Sequence, residues 1–157
     1  MTHGHASVVT VIGVLAGAAL LAGAATLASS PTALAHDGTD DRPAQQILAA
    51  GASEEAVDAV LVRRGVRQAA RSGCAACHSL DGSRRPGPTW KGLYGRKRLL
   101  ANGQQVVADE AYLRRSIVAP DAEIAQGFPK GLMPKDFGRK LSEEQIRTII
   151  ELIKSVR

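Results

Sequence analysis

Two cysteines and a histidine stand together in the middle of this 157-residue chain. Cys74 and Cys77 are separated by two residues and followed at once by His78, which gives the pattern C-x-x-C-H. Two thiols at this spacing can each add to one vinyl group of a haem, and the adjacent imidazole is then held where it can bind the iron. The pattern predicts covalent attachment of one c-type haem through both cysteines, with His78 as an iron ligand.

The same residues suit two other kinds of site. A redox-active dithiol of the thioredoxin type is found in a βαβ context, whereas here a helical pattern precedes the motif and glycine- and proline-rich sequence follows it. A zinc site would need a fourth ligand, and His36 lies far away along the chain. Haem attachment is the interpretation we prefer, and a dithiol or metal clamp stays as an alternative.

A second ligand for the iron has to come from elsewhere in the chain. The two methionines are Met1 and Met133, and Met133 lies in the tetrapeptide G-L-M-P within a loop-rich stretch. A thioether is a soft, uncharged ligand, and a His/Met pair raises the reduction potential of a haem iron. We therefore expect Met133 to be the second axial ligand. If Met133 merely fills an apolar gap, the iron keeps an open position and can react with peroxide or bind small gases.

Helices joined by long loops must position these residues. Ser53 can cap a helix that ends at Gly73, directly before the motif, and Asp109 opens a shorter helix that ends before Pro120. The last helix begins at a capping box over residues 142–145 and carries one apolar stripe. No alternating strand pattern is present. The sequence therefore predicts an all-α fold of about three to five helices with long loops.

The beginning of the chain is apolar and uncharged. Residues 1–35 contain no Lys, Arg, Asp or Glu, and residues 8–28 are almost all apolar or small. An A-x-A pattern ends at Ala35, which predicts a signal peptide over residues 1–35 that is cleaved after Ala35. Because about 20 apolar residues can span a bilayer, an uncleaved membrane tether through residues 8–28 is the alternative.

Both versions place the rest of the chain in the periplasm, either soluble or anchored to the outer face of the inner membrane. Residues 36–52 are polar and contain glycine and proline, so we interpret them as a linker. Residues 53–157 are then the functional domain.

The stretch over residues 65–156 resembles the class I cytochrome c family. It looks especially like the cytochrome c domain fused to some bacterial cytochrome c oxidase subunit II chains. The dinuclear copper site of that subunit needs its own cysteines and histidines, which this chain does not have left, so it is not that subunit. Besides the haem motif, the matching motifs are G-P-T-W-K-G-L-Y-G-R at residues 87–96, Ala108-Asp109, Tyr112-Leu113, Ser116-Ile117, Pro120, Gly127-Phe128-Pro129, Met133-Pro134 and Leu141-Ser142.

The resemblance implies roles for further residues around a single haem. The carbonyl of Pro88 would accept the ring N–H of His78 and fix its tautomer and orientation. The other contacts implied for the haem are Arg96 near a propionate, Trp90 and Tyr94 in the wall of the pocket, and Leu113 and Ile117 on the methionine side.

Two positions depart from the family pattern. Family members often carry an aromatic residue four positions after Gly65 and another in the last helix, where this chain has Ala69 and Leu152. The two positions would meet where the first and last helices cross. The smaller pair predicts closer or looser packing at that crossing, with an effect on stability rather than on haem binding.

The charge of the chain indicates the kind of partner. It has 20 Lys+Arg and 15 Asp+Glu, for a formal net charge of +5. A basic patch can steer a protein toward an acidic redox partner, or it can simply keep a loop solvated. Nucleic acid is not an expected partner for an exported protein. The basic patch of the loop after the motif comprises Arg84, Arg85, Lys91, Arg96, Lys97 and Arg98.

With both axial positions filled, the iron would offer no open site for a substrate, and the chemistry reduces to electron transfer. The sequence therefore predicts a monohaem electron carrier, acting between periplasmic or membrane redox partners, without a catalytic acid, base or nucleophile. One alternative is a cytochrome subunit permanently docked to a dehydrogenase or oxidase. The other is a haem enzyme or gas binder, if Met133 does not bind the iron.

Overall fold

The computed structural model describes residues 42–157. The predicted signal peptide or anchor and the first part of the predicted linker lie outside the described residues. Within residues 42–157, no helix is both long enough and apolar enough to cross a membrane. The elements in this range are α1 (Ala44–Ala49), α2 (Glu54–Arg71), α3 (Cys74–Cys77), β1 (Lys97–Leu99), β2 (Gln105–Val107), α4 (Glu110–Val118), α5 (Phe137–Lys140) and α6 (Glu143–Ser155).

The three longest helices begin where the sequence predicts. The side chains of Ser53, Asp109 and Ser142 each accept a backbone N–H from the first turn of α2, α4 and α6. At the start of α6 the side chain of Gln145 also accepts the N–H of Ser142, so the capping box is complete. These side chains satisfy donors that have no partner inside the helix, which is why the helices start at these positions.

Helices α2 and α6 cross at close range. A Cβ atom on Gly65 would overlap the carbonyl oxygen of Thr148 and lie 2.8 Å from Cβ of Leu152. Ala69 and Leu152 are both buried in the main core next to this crossing. Glycine at residue 65 allows the backbones of the two helices to touch, while the effect of the small pair on packing stays a prediction.

The loop after the motif contains a two-stranded sheet that the sequence analysis did not predict. Strands β1 and β2 pair in antiparallel fashion, and Gly103 in the connection has a φ of +84°. Each strand is only three residues long, too short for an alternating pattern to be recognised. Beyond the sheet, Leu100 forms an isolated bridge with Ala125, which joins this hairpin to the loop that carries Met133. The described fold remains mainly helical.

A short helix, α1, lies within the predicted linker. It packs on the N-terminal half of α2, and Ala44 and Ile47 are its buried residues. Part of the stretch 36–52 is therefore packed against the domain, while the domain boundary at residue 53 stays a prediction. The small cluster that α1 forms with α2 consists of Ala44, Ile47, Val57, Val60 and Leu61.

Candidate haem site

A cleft is lined by the motif helix α3, by one side of α4 and by the loop at residues 120–134. Cys74, Cys77, His78 and Met133 all contribute to its lining. Helix α3 is a single turn that starts after Gly73, whose φ of +73° lies in the left-handed region that favours glycine. The structure therefore brings together two thiols, one imidazole and one thioether, the four groups that the sequence singled out.

Three contacts set the position of the His78 ring. Its Nδ1 lies 2.7 Å from the carbonyl oxygen of Pro88. Since a carbonyl can only accept, Nδ1 carries the proton and Nε2 keeps its lone pair for a metal. The ring of Trp90 stacks on the imidazole, with 5.1 Å between centroids and 19° between planes. On another side, a Cβ at Gly87 would lie 2.8 Å from Cε1 of His78, so a larger residue there would displace the ring.

Hydrogen bonds fix the loop at residues 79–90 internally and join it to the motif helix. The backbone N–H of Trp90 donates to the carbonyl of Ser79 at 2.8 Å. The hydroxyl of Ser79 in turn donates to the carbonyl of Ser83 at 2.6 Å. Nη1 of Arg85 donates to the carbonyl of Ala75, inside the motif helix, at 2.8 Å. These bonds hold Trp90 against the imidazole and bring one residue of the basic patch onto α3.

Burial shifts the pKa values of His78 and Cys74 in the motif. Desolvation lowers the pKa of His78, and the hydrogen bond to Pro88 opposes this only in part, so the neutral, metal-binding imidazole is favoured. Burial also raises the pKa of the Cys74 thiol, although a backbone hydrogen bond counteracts the shift. A reactive dithiol needs a lowered thiol pKa, so the raised value speaks against the thioredoxin-like alternative.

The family follows from comparison with known proteins. A family model described as "Cytochrome c" matches residues 62–157, which is more than half of the chain. The chain belongs to the cytochrome c family. Membership implies a covalently bound haem c and haem-based electron transfer. The match does not show the narrower resemblance to the cytochrome c domain that is fused to some oxidase subunit II chains. A search of curated proteins gives no matching relative.

The loop at residues 127–136 brings Met133 to the cleft of this cytochrome. Gly127 and Gly131 have φ values of +86° and +78°, which bend the chain on either side of Pro129. Met133 itself is half-buried. Its neighbour Leu132 is 44% exposed and also contributes to the lining of the cleft.

Helix α4 contributes different residues to the cleft from those expected. Leu113 and Ile117 are 2% and 7% exposed and belong to the core that α4 forms with α6. The α4 residues in the lining of the cleft are Tyr112 and Ser116. Positions four apart share a helix face, and 112 and 116 occupy the face next to that of 113 and 117. The structure thus places the neighbouring pair in the cleft lining, because α6 covers the more apolar face, while contact of Leu113 and Ile117 with a haem stays a prediction.

Three further predicted residues lie outside the lining of the cleft. Trp90 is buried and stacks on the His78 ring. Tyr94 is 40% exposed, and Nζ of Lys154 lies 5.6 Å from the centroid of its ring. The exposed Arg96 folds back over Gly92, so its guanidinium does not line the cleft. The chain turns at Gly92, which has a φ of +58°, and this turn carries the residues beyond it to other surfaces.

The cytochrome's cleft fits a porphyrin by its lining. Aromatic and aliphatic side chains form much of its wall, as an apolar macrocycle requires. The hydroxyl of Ser116 is buried there without a hydrogen-bond partner among the described residues. Several residues of this lining belong to the motifs that match the family, but the sequence analysis gave them no role in the site. Ile124 lies in an irregular loop, where no sequence pattern marks it. The lining residues that the sequence analysis did not assign to the site include Tyr112, Ser116, Pro120, Ile124, Phe128 and Phe137.

Proposed function

We propose that this cytochrome is a monohaem electron carrier whose iron is bound by His78 and Met133. The observation that carries the proposal is that both side chains line the same cleft as the two thiols of the motif. When bound, a c-type haem supplies an iron that changes by one electron between its ferrous and ferric states.

The residues of the chain would prepare and protect that site. The Pro88 carbonyl keeps the proton of His78 on Nδ1, and the stacked Trp90 restricts rotation of the ring. Met133 supplies a neutral sulfur, which favours the less charged ferrous state and so raises the potential. With two protein ligands, the site leaves no position for a substrate, which supports a carrier rather than an enzyme.

The pocket wall would also raise the potential. Phe128, Phe137 and Ile124 are partly buried residues of the cleft lining. Apolar side chains at this position exclude water, and a lower local dielectric disfavours the state with the extra positive charge. The wall therefore acts in the same direction as the thioether.

The basic patch supports docking to an acidic redox partner. Arg84, Lys91 and Lys97 are exposed, and Arg85 reaches the motif helix through the carbonyl of Ala75. The patch therefore begins beside the two cysteines of the cleft. A cationic surface next to the redox group would speed encounter with a negatively charged partner and would do so less at high salt.

A periplasmic location completes the proposal. The uncharged residues 1–35 and the A-x-A pattern before His36 support export. The protein would work either free in the periplasm, after cleavage behind Ala35, or tethered to the outer face of the inner membrane through residues 8–28.

One experiment tests attachment and processing together. The chain is produced in a host that matures c-type cytochromes, and its intact mass and absorption spectrum are measured. We expect one covalent haem that survives acid-acetone extraction and, in the ferric protein, the charge-transfer band of a methionine-ligated haem. A colourless product with two titratable thiols would overturn haem attachment. A haem protein without that band at neutral pH would overturn Met133 as ligand.

The mass also reports the fate of the first 35 residues. Loss of this segment is expected for the soluble form. Native gel filtration then separates a free carrier, which elutes near the mass of one chain, from a subunit that stays bound to a larger complex.

A further inference from the structure

Asp121 contacts the chain on both sides of Met133. Its Oδ1 accepts the backbone N–H of Gly131 at 2.9 Å. Its Oδ2 forms an ion pair with Nζ of Lys135 at 2.5 Å. Gly131 and Lys135 stand two residues before and two residues after Met133. One carboxylate therefore bridges the two flanks of the proposed ligand.

The segment that carries Asp121 is itself held by the rest of the fold. The guanidinium of Arg115 on α4 donates two hydrogen bonds to the carboxylate of Glu123, at 3.1 and 3.3 Å. The backbone N–H of Ala101 donates to the carbonyl of Ile124 at 2.8 Å. Asp121 thus belongs to a segment tied both to a helix and to the hairpin.

The stretch around Met133 has much less support of its own. Residues 127–134 contain no helix or strand, and Lys130 and Leu132 are exposed. A segment with few internal hydrogen bonds and little burial can open locally at low cost in free energy. In contrast, the carboxylate of Asp121 is shielded, with only 18% of its side chain exposed. Besides the hydrogen bond from the Phe128 N–H to the Ala125 carbonyl at 3.2 Å, its two contacts tie this stretch to the anchored segment, and they do so on both sides of Met133.

We propose that Asp121 is a positioning residue that holds the Met133 loop closed over the haem cleft. This inference rests on the proposed ligation of the iron by Met133. Moving Met133 away from the cleft requires the loop to shift relative to Asp121, which breaks the hydrogen bond to Gly131, the ion pair to Lys135, or both. The carboxylate thereby sets how easily the sixth coordination position opens to an external ligand.

The test is competition by imidazole for the iron of the ferric holoprotein, followed through loss of the methionine charge-transfer band. Asp121→Asn retains an oxygen that can accept the Gly131 N–H but loses the ion pair, so imidazole affinity should rise by roughly threefold. Asp121→Ala loses both contacts and should raise it by roughly tenfold or more. If the alanine variant does not yield folded holoprotein, the asparagine variant carries the test.

Asp136→Asn is the matched control. Asp136 also pairs with a lysine, Lys140, at 2.5 Å, but this pair spans the single turn of α5 and does not involve the other side of Met133. Removing this ion pair leaves the contacts of Asp121 in place. Imidazole affinity should stay at the wild-type value, while any general loss of stability, read from urea denaturation, should be similar in both asparagine variants.

A second set of variants isolates the ion pair. Lys135→Gln should raise imidazole affinity to the same extent as Asp121→Asn, and the double variant should exceed neither single variant, because both remove the same interaction. The difference from wild type should shrink at high salt, since an exposed lysine is readily screened.

The possible failures are distinct. If wild-type ferric protein lacks the methionine band, the proposed ligation fails and this inference fails with it. If the band is present and Asp121→Asn binds imidazole no better than Asp136→Asn, ligation by Met133 stands and the role of Asp121 is overturned.

Discussion

The ring of Trp90 lies almost parallel to that of His78, with their centroids 5.1 Å apart and their planes at 19°. Trp90 is 6% exposed and its backbone N–H donates a hydrogen bond to the carbonyl of Ser79, so the position of the indole does not depend on the imidazole. The Pro88 carbonyl holds the Nδ1 edge of the same imidazole. The stacking and the hydrogen bond together restrict the imidazole of His78 to one orientation, in which Nε2 is free to bind the iron.

Replacing the stacked indole should therefore disturb the imidazole. Trp90→Leu should leave haem attached, lower the free energy of unfolding by about 2 kcal/mol through lost packing, and change the orientation of the axial imidazole. Urea denaturation measures the first effect, and the electron paramagnetic resonance spectrum of the ferric holoprotein measures the second.

Tyr94→Leu is the control for this variant, because Tyr94 is 40% exposed and lies outside the cleft lining. It should change neither the spectrum nor the unfolding free energy by more than about 0.5 kcal/mol. Identical resonance spectra for Trp90→Leu and wild type would show that the stack does not orient the imidazole.

The crossing of α2 and α6 should depend on the absence of a side chain at residue 65. In Gly65→Ala the new Cβ would overlap the Thr148 carbonyl, so the helices must separate and the free energy of unfolding should fall by about 3 kcal/mol. The control is Gly138→Ala in α5, where the nearest atoms would lie 3.3 Å from the new Cβ. This variant should change stability by less than about 1 kcal/mol, and equal losses in urea denaturation would contradict the close crossing.

The sequence predicted what depends on local chemistry. Caps at Ser53, Asp109 and Ser142 are signalled by residues within one turn, and all three occur in the structure. The C-x-x-C-H motif likewise identified the thiols and imidazole of the cleft, because their spacing along the chain is enough to bring them together.

Features that depend on tertiary packing were harder to predict. Apolar side chains occur on two adjacent faces of α4. The position of α6 decides that Leu113 packs in the core while Tyr112 lines the cleft. The strands of the hairpin are too short to show a period of two. The contacts of Asp121 join residues 10 and 14 positions away through irregular loop, for which no periodic signal exists.

Removal of the thioether should separate ligation from attachment. Met133→Ala should keep the haem bound to both cysteines, abolish the methionine charge-transfer band and lower the reduction potential, because a weaker ligand or water replaces the sulfur. Potentiometric titration and the ferric spectrum measure these changes.

Val107→Ala is the control, since its side chain is 48% exposed and lies outside the lining of the cleft. It should retain both the band and the potential. An unchanged potential in Met133→Ala would mean that another group provides the sixth bond.

His78→Ala should instead impair maturation of the haem protein. A normal yield of holoprotein would count against the role of His78 as an iron ligand.

Acid should weaken the contact between α4 and α6. Arg114 donates to both carboxylate oxygens of Glu143, which lowers the pKa of Glu143 below its ordinary value of 4.5. A group with a lowered folded-state pKa stabilises the fold above its ordinary pKa, and this contribution disappears as the pH falls through the folded-state value.

Glu143→Gln should therefore make the urea midpoint less dependent on pH below about 5. Both side chains are exposed, so the effect should be small and should diminish at high salt. Midpoints measured from pH 7 down to pH 3 for wild type and variant provide the test, and parallel curves would show that the pair contributes nothing to acid stability.

The basic patch should control the rate of electron transfer to charged reagents. Reversing two exposed charges with Arg84→Glu and Lys91→Glu should slow oxidation of the ferrous protein by anionic hexacyanoferrate(III) by roughly tenfold at low salt. Oxidation by a cationic cobalt complex should become faster, and both differences should fade as salt screens the field.

Arg147→Glu provides the control, because Arg147 is exposed on α6 and lines a groove away from the motif. Per unit of charge changed, it should affect both rates much less than the patch variants do. If the rates instead follow only the net charge, whichever residue is changed, the surface beside Cys74 and Cys77 is not the place where partners receive electrons.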